Sequence, residues 1–350
     1  MKKNGKIEIL RFLLCIVVVF YHINKDLWPD GKVFGDFFTL FNHGRTAVEF
    51  FFLLTGFLMA KRVHKIHKTR TNSIGEETVS YLYRKIKSVI APYTVISIVT
   101  IVYSSFVVND IVTFVAERAP SLIFLQRTGI EDEGFITVGW YLGSMFFAIA
   151  VIYPFLLKFY DSVSLIAAPV VSSMLIGFFI YRYGYMPQAA FGLFMHHSNL
   201  RAVAMILLGV FCYRTCIYMK SRAWAKWKWV LLATVENICW IISLFYLFSN
   251  APMKYEGHIT YLMAIAITIS FSRDMDYKIY NNKFVGYLGR ISLPIYLSQT
   301  LPRMIVYFHF PKSPDYIKII IVVLGSVFIG VVYDLFSNII IKQRKKKVLA

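Results

Sequence analysis

Apolar runs of about 20 residues recur from one end of this chain to the other, and nothing else in it restricts the fold as strongly. They lie near residues 7–24, 38–60, 88–108, 136–157, 163–181, 200–218, 227–249, 257–272, 284–307 and 317–341. In hydrocarbon, every backbone N–H and C=O must find its partner within the protein, which leaves only helices and closed barrels. These runs are too long and too continuously apolar for alternating barrel strands. The expected fold is therefore all-α, a polytopic membrane helical bundle of about ten transmembrane helices, forming a single integral membrane domain over residues 1–350. Composition agrees: the 350 residues are 57% hydrophobic and only 16% charged, far from the balance of a soluble domain.

The formal net charge of +19 raises nucleic acid as a partner, but the basic residues sit in short clusters between apolar runs rather than on one face. No nucleic acid is expected. The clusters "KRVHKIHKTR" and "YRKIK", Lys158, Lys220 to Lys228, Arg273 to Arg290 and the terminal "KQRKKK" all fall on one side of an alternating topology. That side holds roughly 25 basic residues against about 7 opposite, so both termini are expected in the cytoplasm, with the last cluster near anionic membrane lipids. "MKKNGK" resembles the start of a signal peptide, yet the run ends "FYHINKD" with no small-x-small cleavage site, and it is expected to remain. Residues 61–87 read as a cytoplasmic loop with an interfacial helix. The four cysteines, Cys15, Cys212, Cys216 and Cys239, lie inside apolar runs without metal-ligand spacing, as small core residues do, and no metal is expected.

Within the first run, "ILRFLLCIVVVFYHINKD" carries Arg11 and His22. Eleven residues at about 100° each end about 20° past three full turns, so the two side chains share a helix face, about 16 Å apart along the axis. With the N-terminus inside, Arg11 lies near the cytoplasmic edge and His22 near the outer edge. The plainer alternative is an arginine snorkelling to inner headgroups and a histidine in the outer interface beside Tyr21 and Trp28.

The second run, "HGRTAVEFFFLLTGFLMAKR", sets Glu49 among phenylalanines, where an unpaired carboxylate costs several kcal/mol. It needs a partner. Its depth on an outside-to-inside helix matches that of His22, and a His22–Glu49 contact would fix the imidazole tautomer and make a better general base. The alternative is a structural pair with Arg45 one turn earlier.

Arg11 and His22 in the first helix, followed by "AVEFFFLLTGFLM" in the second, resemble the acyltransferase 3 family of membrane acyltransferases. "YLYRKIKSVIAPY" (81–93) is similar to the basic stretch and Pro-Tyr opening that family's third helix, "GWYLGSMFFAIAVIYP" (139–154) to its Trp-aromatic-Leu segment, and "LGRISLPIYLSQTLP" to its late Ser-x-x-x-Tyr-Leu segment. The resemblance spans most of the chain. It departs at Lys87, where the family often has arginine, at Met145, where larger-polysaccharide members carry glutamate, and at Ser298 and Gln299, where histidine is common.

The resemblance implies transfer of an acyl group, usually acetyl from acetyl-CoA as cosubstrate, to a hydroxyl of a cell-surface or lipid-linked saccharide, in a bacterial plasma membrane. Acyl-CoA is polyanionic, and Arg11, Arg84, Lys85 and Lys87 are the cations expected to hold it at the cytoplasmic side. Its pantetheine arm has a length of the order of the Arg11–His22 separation. His22 is expected to be catalytic, as general base or as nucleophile, with Glu49 behind it. Arg45, Trp140 and Tyr141 are the expected acceptor contacts at the outer mouth, the two aromatics stacking on a sugar ring. His196 and His197, in an outer loop beside Arg201, are expected to be solvated. Two alternatives stand beside this: succinyl transfer to an exopolysaccharide, with Arg45 or Arg303 meeting the extra carboxylate, and a saccharide or organic-acid transporter, for which no paired half-chains with broken helices are found.

Overall fold

The computed structural model describes residues 4–27, 42–127, 133–191, 195–273, 280 and 282–349. Helices α1 (Gly5–Leu27), α2 (Ala47–Ile66) and α3 (Ile74–Val107) come first. The start of the expected 38–60 run lies partly outside the described residues. The expected loop over 61–87 is instead mostly helix, because Ser73 and Glu76 form a reciprocal capping box that starts α3 at Ile74. Glu77 then takes Arg62 from α2 at 3.2 Å and Arg84 from its own helix at 3.0 Å, tying the two helices together.

A short helix, α4 (Ile111–Arg118), is capped by Asp110, whose side chain accepts from the Thr113 amide. A 3-10 turn at Thr137–Gly139 leads into α5 (Trp140–Lys158). The next run is α6 (Tyr160–Ser162), a π turn at Val163–Ala167, and α7 (Ala168–Tyr183). A two-residue antiparallel pair, β1 (Ala190–Phe191) with β2 (Met195–His196), precedes α8 (His197–Lys220). The chain continues as α9 (Lys226–Leu247), α10 (Glu256–Ser272), α11 (Lys283–Ser298), α12 (Thr300–His309) and α13 (Asp315–Leu349).

The single helix expected over 284–307 is thus two helices meeting at Gln299. Pro302 has no N–H to give to the carbonyl of Ser298, so the ladder is interrupted there. Gln299 Nε2 donates instead to the Tyr296 carbonyl at 2.7 Å.

Six helices among the described residues are long and apolar enough to cross a membrane: Ile74–Val107, Thr137–Lys158, Tyr160–Tyr183, His197–Lys220, Lys226–Leu247 and Asp315–Ile340. At 17 and 16 residues, α10 and α11 are shorter. Large apolar side chains such as Phe106, Phe245, Leu324 and Phe328 stand exposed on the outer helices, as a lipid-facing surface requires.

The centre is built around α8, which packs on α2, α5, α7 and α10. Its tightest crossing is with α2: a Cβ on Gly56 would strike the Ile206 carbonyl, and one on Gly209 would strike the Leu53 carbonyl. Two glycines facing opposite backbones let these helices approach as apolar solvent alone does not make them do. On the other side, α1 lies against α11, with Cys15 Sγ donating to the Ser292 carbonyl at 3.1 Å.

Candidate functional site

Arg11, Cys15, Val18 and His22 follow one another at helical spacing along one face of α1. The middle two are fully buried, and the outer two open into different cavities. The Arg11 cavity, about 370 Å³, is lined by Glu8, Arg11, Lys85, Ser88, Tyr141 and Arg290 among others. The His22 cavity, about 250 Å³, is lined by Tyr21, His22, Arg45, Arg127, Trp140 and Arg303, with Gln126, Gln188 and Glu133 completing its polar wall. Tyr296 lines both.

In the Arg11 cavity, Arg11 Nη1 donates to Glu8 Oε2 at 2.9 Å. Glu8 reaches this position because Gly289 of α11 has no side chain: its carboxylate fills the space that a Cβ would take. Arg11, Lys85 and Arg290 all line this cavity, Arg11 paired with Glu8 and Arg290 3.6 Å from Asp334 of α13. Of the four basic residues expected on acyl-CoA, the structure groups Arg11 with Lys85 here. Arg84 is engaged with Glu77 and Ser80, and Lys87 is exposed above the Tyr83 ring; neither lines the cavity.

In the other cavity, His22 Nδ1 lies 3.0 Å from the Val18 carbonyl oxygen. A carbonyl only accepts, so Nδ1 carries the proton, and in the neutral ring the lone pair is on Nε2. The backbone of α1 itself, one turn back, orients the imidazole.

That task was expected of Glu49, and the expectation is corrected. Glu49 is fully buried in an ion pair with the guanidinium of Arg201 on α8, also fully buried, rather than with His22 or Arg45. Arg45 pairs with Glu256 at 2.8 Å, and Glu256 also accepts from Thr46 and from the Met186 amide. A buried carboxylate needs a cation, and the helix packing delivers Arg201 to Glu49 Oε1. Arg201 also donates to the Arg45 carbonyl at 3.4 Å and stacks over Trp140 at 5.9 Å, with Arg127 over the same ring at 5.0 Å. Glu49 is thus linked to the His22 cavity through Arg201 and Trp140.

Trp140 and Tyr141 part company. Trp140 lines the His22 cavity, whereas Tyr141 lines the Arg11 cavity, so the two expected acceptor contacts do not share a cavity. His196 and His197 are buried rather than solvated: the His197 ring meets the Ala189 carbonyl at 2.7 Å and the Tyr183 hydroxyl at 2.9 Å. Arg303 donates to Thr137 Oγ1 at 3.2 Å on the wall of the His22 cavity.

Sequence reasoning gave no role to Glu8, Arg127, Glu256 or Arg290, and treated Arg201 only as a neighbour of histidines. One signal for Arg201 was available: a cation inside the apolar run that starts near residue 200, at a depth where Glu49 lacked a partner.

The described residues thus form an apolar helical bundle holding an Arg11 cavity and a His22 cavity that share Tyr296 in their walls. The acyltransferase 3 family model, an acyltransferase domain, matches residues 4–335, and the chain belongs to that family. It is a membrane acyltransferase. No curated protein and no solved structure matches the chain.

Proposed function

We propose that this protein moves an acyl group, acetyl, from acyl-CoA on the cytoplasmic side to a hydroxyl of a cell-surface or lipid-linked saccharide on the outer side of a bacterial plasma membrane. The observation that carries this is the placement of Arg11 and His22 on one face of α1, each opening into its own cavity, with Tyr296 in the walls of both. The basic clusters between the runs support ten spans with both termini cytoplasmic, which puts the Arg11 cavity inside and the His22 cavity outside.

Arg11, Lys85 and Arg290 hold the phosphates of coenzyme A, and the pantetheine arm extends toward His22. The saccharide enters the outer cavity, where Trp140 offers a face to a sugar ring and Arg45, Arg127 and Arg303 offer hydrogen bonds. His22 Nε2 takes the proton of the acceptor hydroxyl as its oxygen attacks the thioester carbonyl. The C–S bond breaks, and the departing thiolate takes that proton back from the imidazolium.

Three arginines in the outer cavity favour a second version, in which the group transferred is succinyl and its free carboxylate is held by Arg45 or Arg303. Purified protein given radiolabelled acetyl-CoA or succinyl-CoA, with membrane glycolipids as acceptor, separates the two. Label in the acceptor from acetyl-CoA supports the first; label from succinyl-CoA alone supports the second; label from neither contradicts both.

A further inference from the structure

Tyr296 stands on α11 one turn after Ser292, whose carbonyl holds Cys15 and so docks α11 on α1 midway between Arg11 and His22. Its ring is buried, at 6.0 Å from Tyr141 and 6.4 Å from Phe51. Those two rings line the Arg11 cavity and not the His22 cavity. On its far side, the Tyr296 hydroxyl donates to the Val138 carbonyl at 3.2 Å, in the turn that leads into Trp140. Among the described residues, Tyr296 is therefore the one that lines both cavities. It is backed by aromatics on the donor side and latched by one neutral hydrogen bond on the other.

We infer that Tyr296 is a gate between the two cavities: closed, it keeps outer water and solutes from the donor cavity, and it swings aside when the acyl-bearing arm reaches through to His22. The inference rests on the proposed function for the identity of the two sides. A permanently open path would connect the two faces of the membrane and admit water to the thioester, whose hydrolysis wastes the donor. The latch suits a moving part. It carries no ion pair, and the ring turns about two side-chain torsions once the Val138 bond is released. The surrounding helix is also locally loosened: Pro294 gives no N–H to the ladder, and α11 ends at Ser298.

The test uses the full-length chain in sealed vesicles, with Cys212, Cys216 and Cys239 replaced by alanine, Cys15 by serine, whose hydroxyl keeps a donor for the Ser292 carbonyl, and single cysteines introduced as reporters. Gln188→Cys reports the His22 cavity, Ser88→Cys the mouth of the Arg11 cavity and Met145→Cys its interior. A membrane-impermeant methanethiosulfonate added from the Gln188 side is expected to modify Gln188→Cys and to spare Met145→Cys. Adding Tyr296→Ala is expected to remove that protection, whereas Tyr296→Phe, which keeps the ring, preserves it. Met145→Cys that stays protected with Tyr296→Ala, or that is modified from the Gln188 side with Tyr296 intact, overturns the gate. A second variant, Tyr296→Trp, enlarges the side chain both cavities share: a fall in kcat of about tenfold or more with little change in KM for acyl-CoA is expected, and transfer at the wild-type rate overturns the gate. Because the labelling needs no acyl donor, it stands or falls apart from the proposed reaction, whose failure shows as reporter variants that label as expected while the wild-type protein transfers nothing.

Discussion

Glu49 on α2 and Arg201 on α8 form an ion pair with neither side chain exposed, about two turns along from the two glycines at which the same helices touch backbone to backbone. The pair is thus a cross-brace within the most intimate helix contact of the bundle, and Arg201 passes its position on to Trp140.

Removing one member leaves an uncompensated buried charge. Glu49→Leu or Arg201→Met alone is expected to cost about 3–5 kcal/mol, whereas the double substitution, which buries no charge, recovers most of that. Thermal unfolding of the detergent-solubilised variants reads the difference. Equal losses in the single and double variants would show that the pair is not what the helices lean on.

Donor binding divides the basic residues. Arg11→Gln and Lys85→Gln each remove a charge-assisted contact worth about 1.5–3 kcal/mol and are expected to raise KM for acyl-CoA about tenfold or more. Arg84→Gln and Lys87→Gln, outside the cavity lining, are expected to change it far less. Steady-state kinetics with varied acyl-CoA decide, and a larger effect at Lys87 than at Arg11 would place the donor elsewhere.

Neighbouring aromatics are expected to act on different substrates. Trp140→Ala removes a stacking face worth about 0.5–1.5 kcal/mol and is expected to raise the acceptor KM about two- to tenfold, leaving the donor KM alone. Tyr141→Ala is expected to do the reverse, because its ring faces the Arg11 cavity. Two KM values per variant settle the assignment.

These cases also mark what was legible in the sequence. The all-helical class and six membrane-length helices were, because an apolar run is a local property, and so was the shared face of Arg11 and His22, because three turns of one helix fix it. The partner of Glu49 was not: Arg201 is 152 residues away, and only helix packing brings it there. Trp140 and Tyr141 read as one aromatic feature, yet adjacent residues on a helix point about 100° apart, which sends them to different cavities. The early start of α3 was written in Ser73 and Glu76, but the stretch is polar and the spans were placed by their apolar runs. The break at Gln299 lay inside an apolar run whose hydropathy is indifferent to a missing N–H at Pro302. The burial of His196 and His197 depends on Tyr183 and Ala189 folding over them, which no periodicity records.

The central claim is that His22 Nε2, presented by the Val18 carbonyl, removes the acceptor proton. The most direct measurement is the rate of acyl transfer by His22→Ala, purified at wild-type yield with an unchanged melting temperature, to a saturating saccharide acceptor. The expected result is a fall of about 10²- to 10⁴-fold in kcat with little change in KM for acyl-CoA. Transfer at the wild-type rate would contradict it.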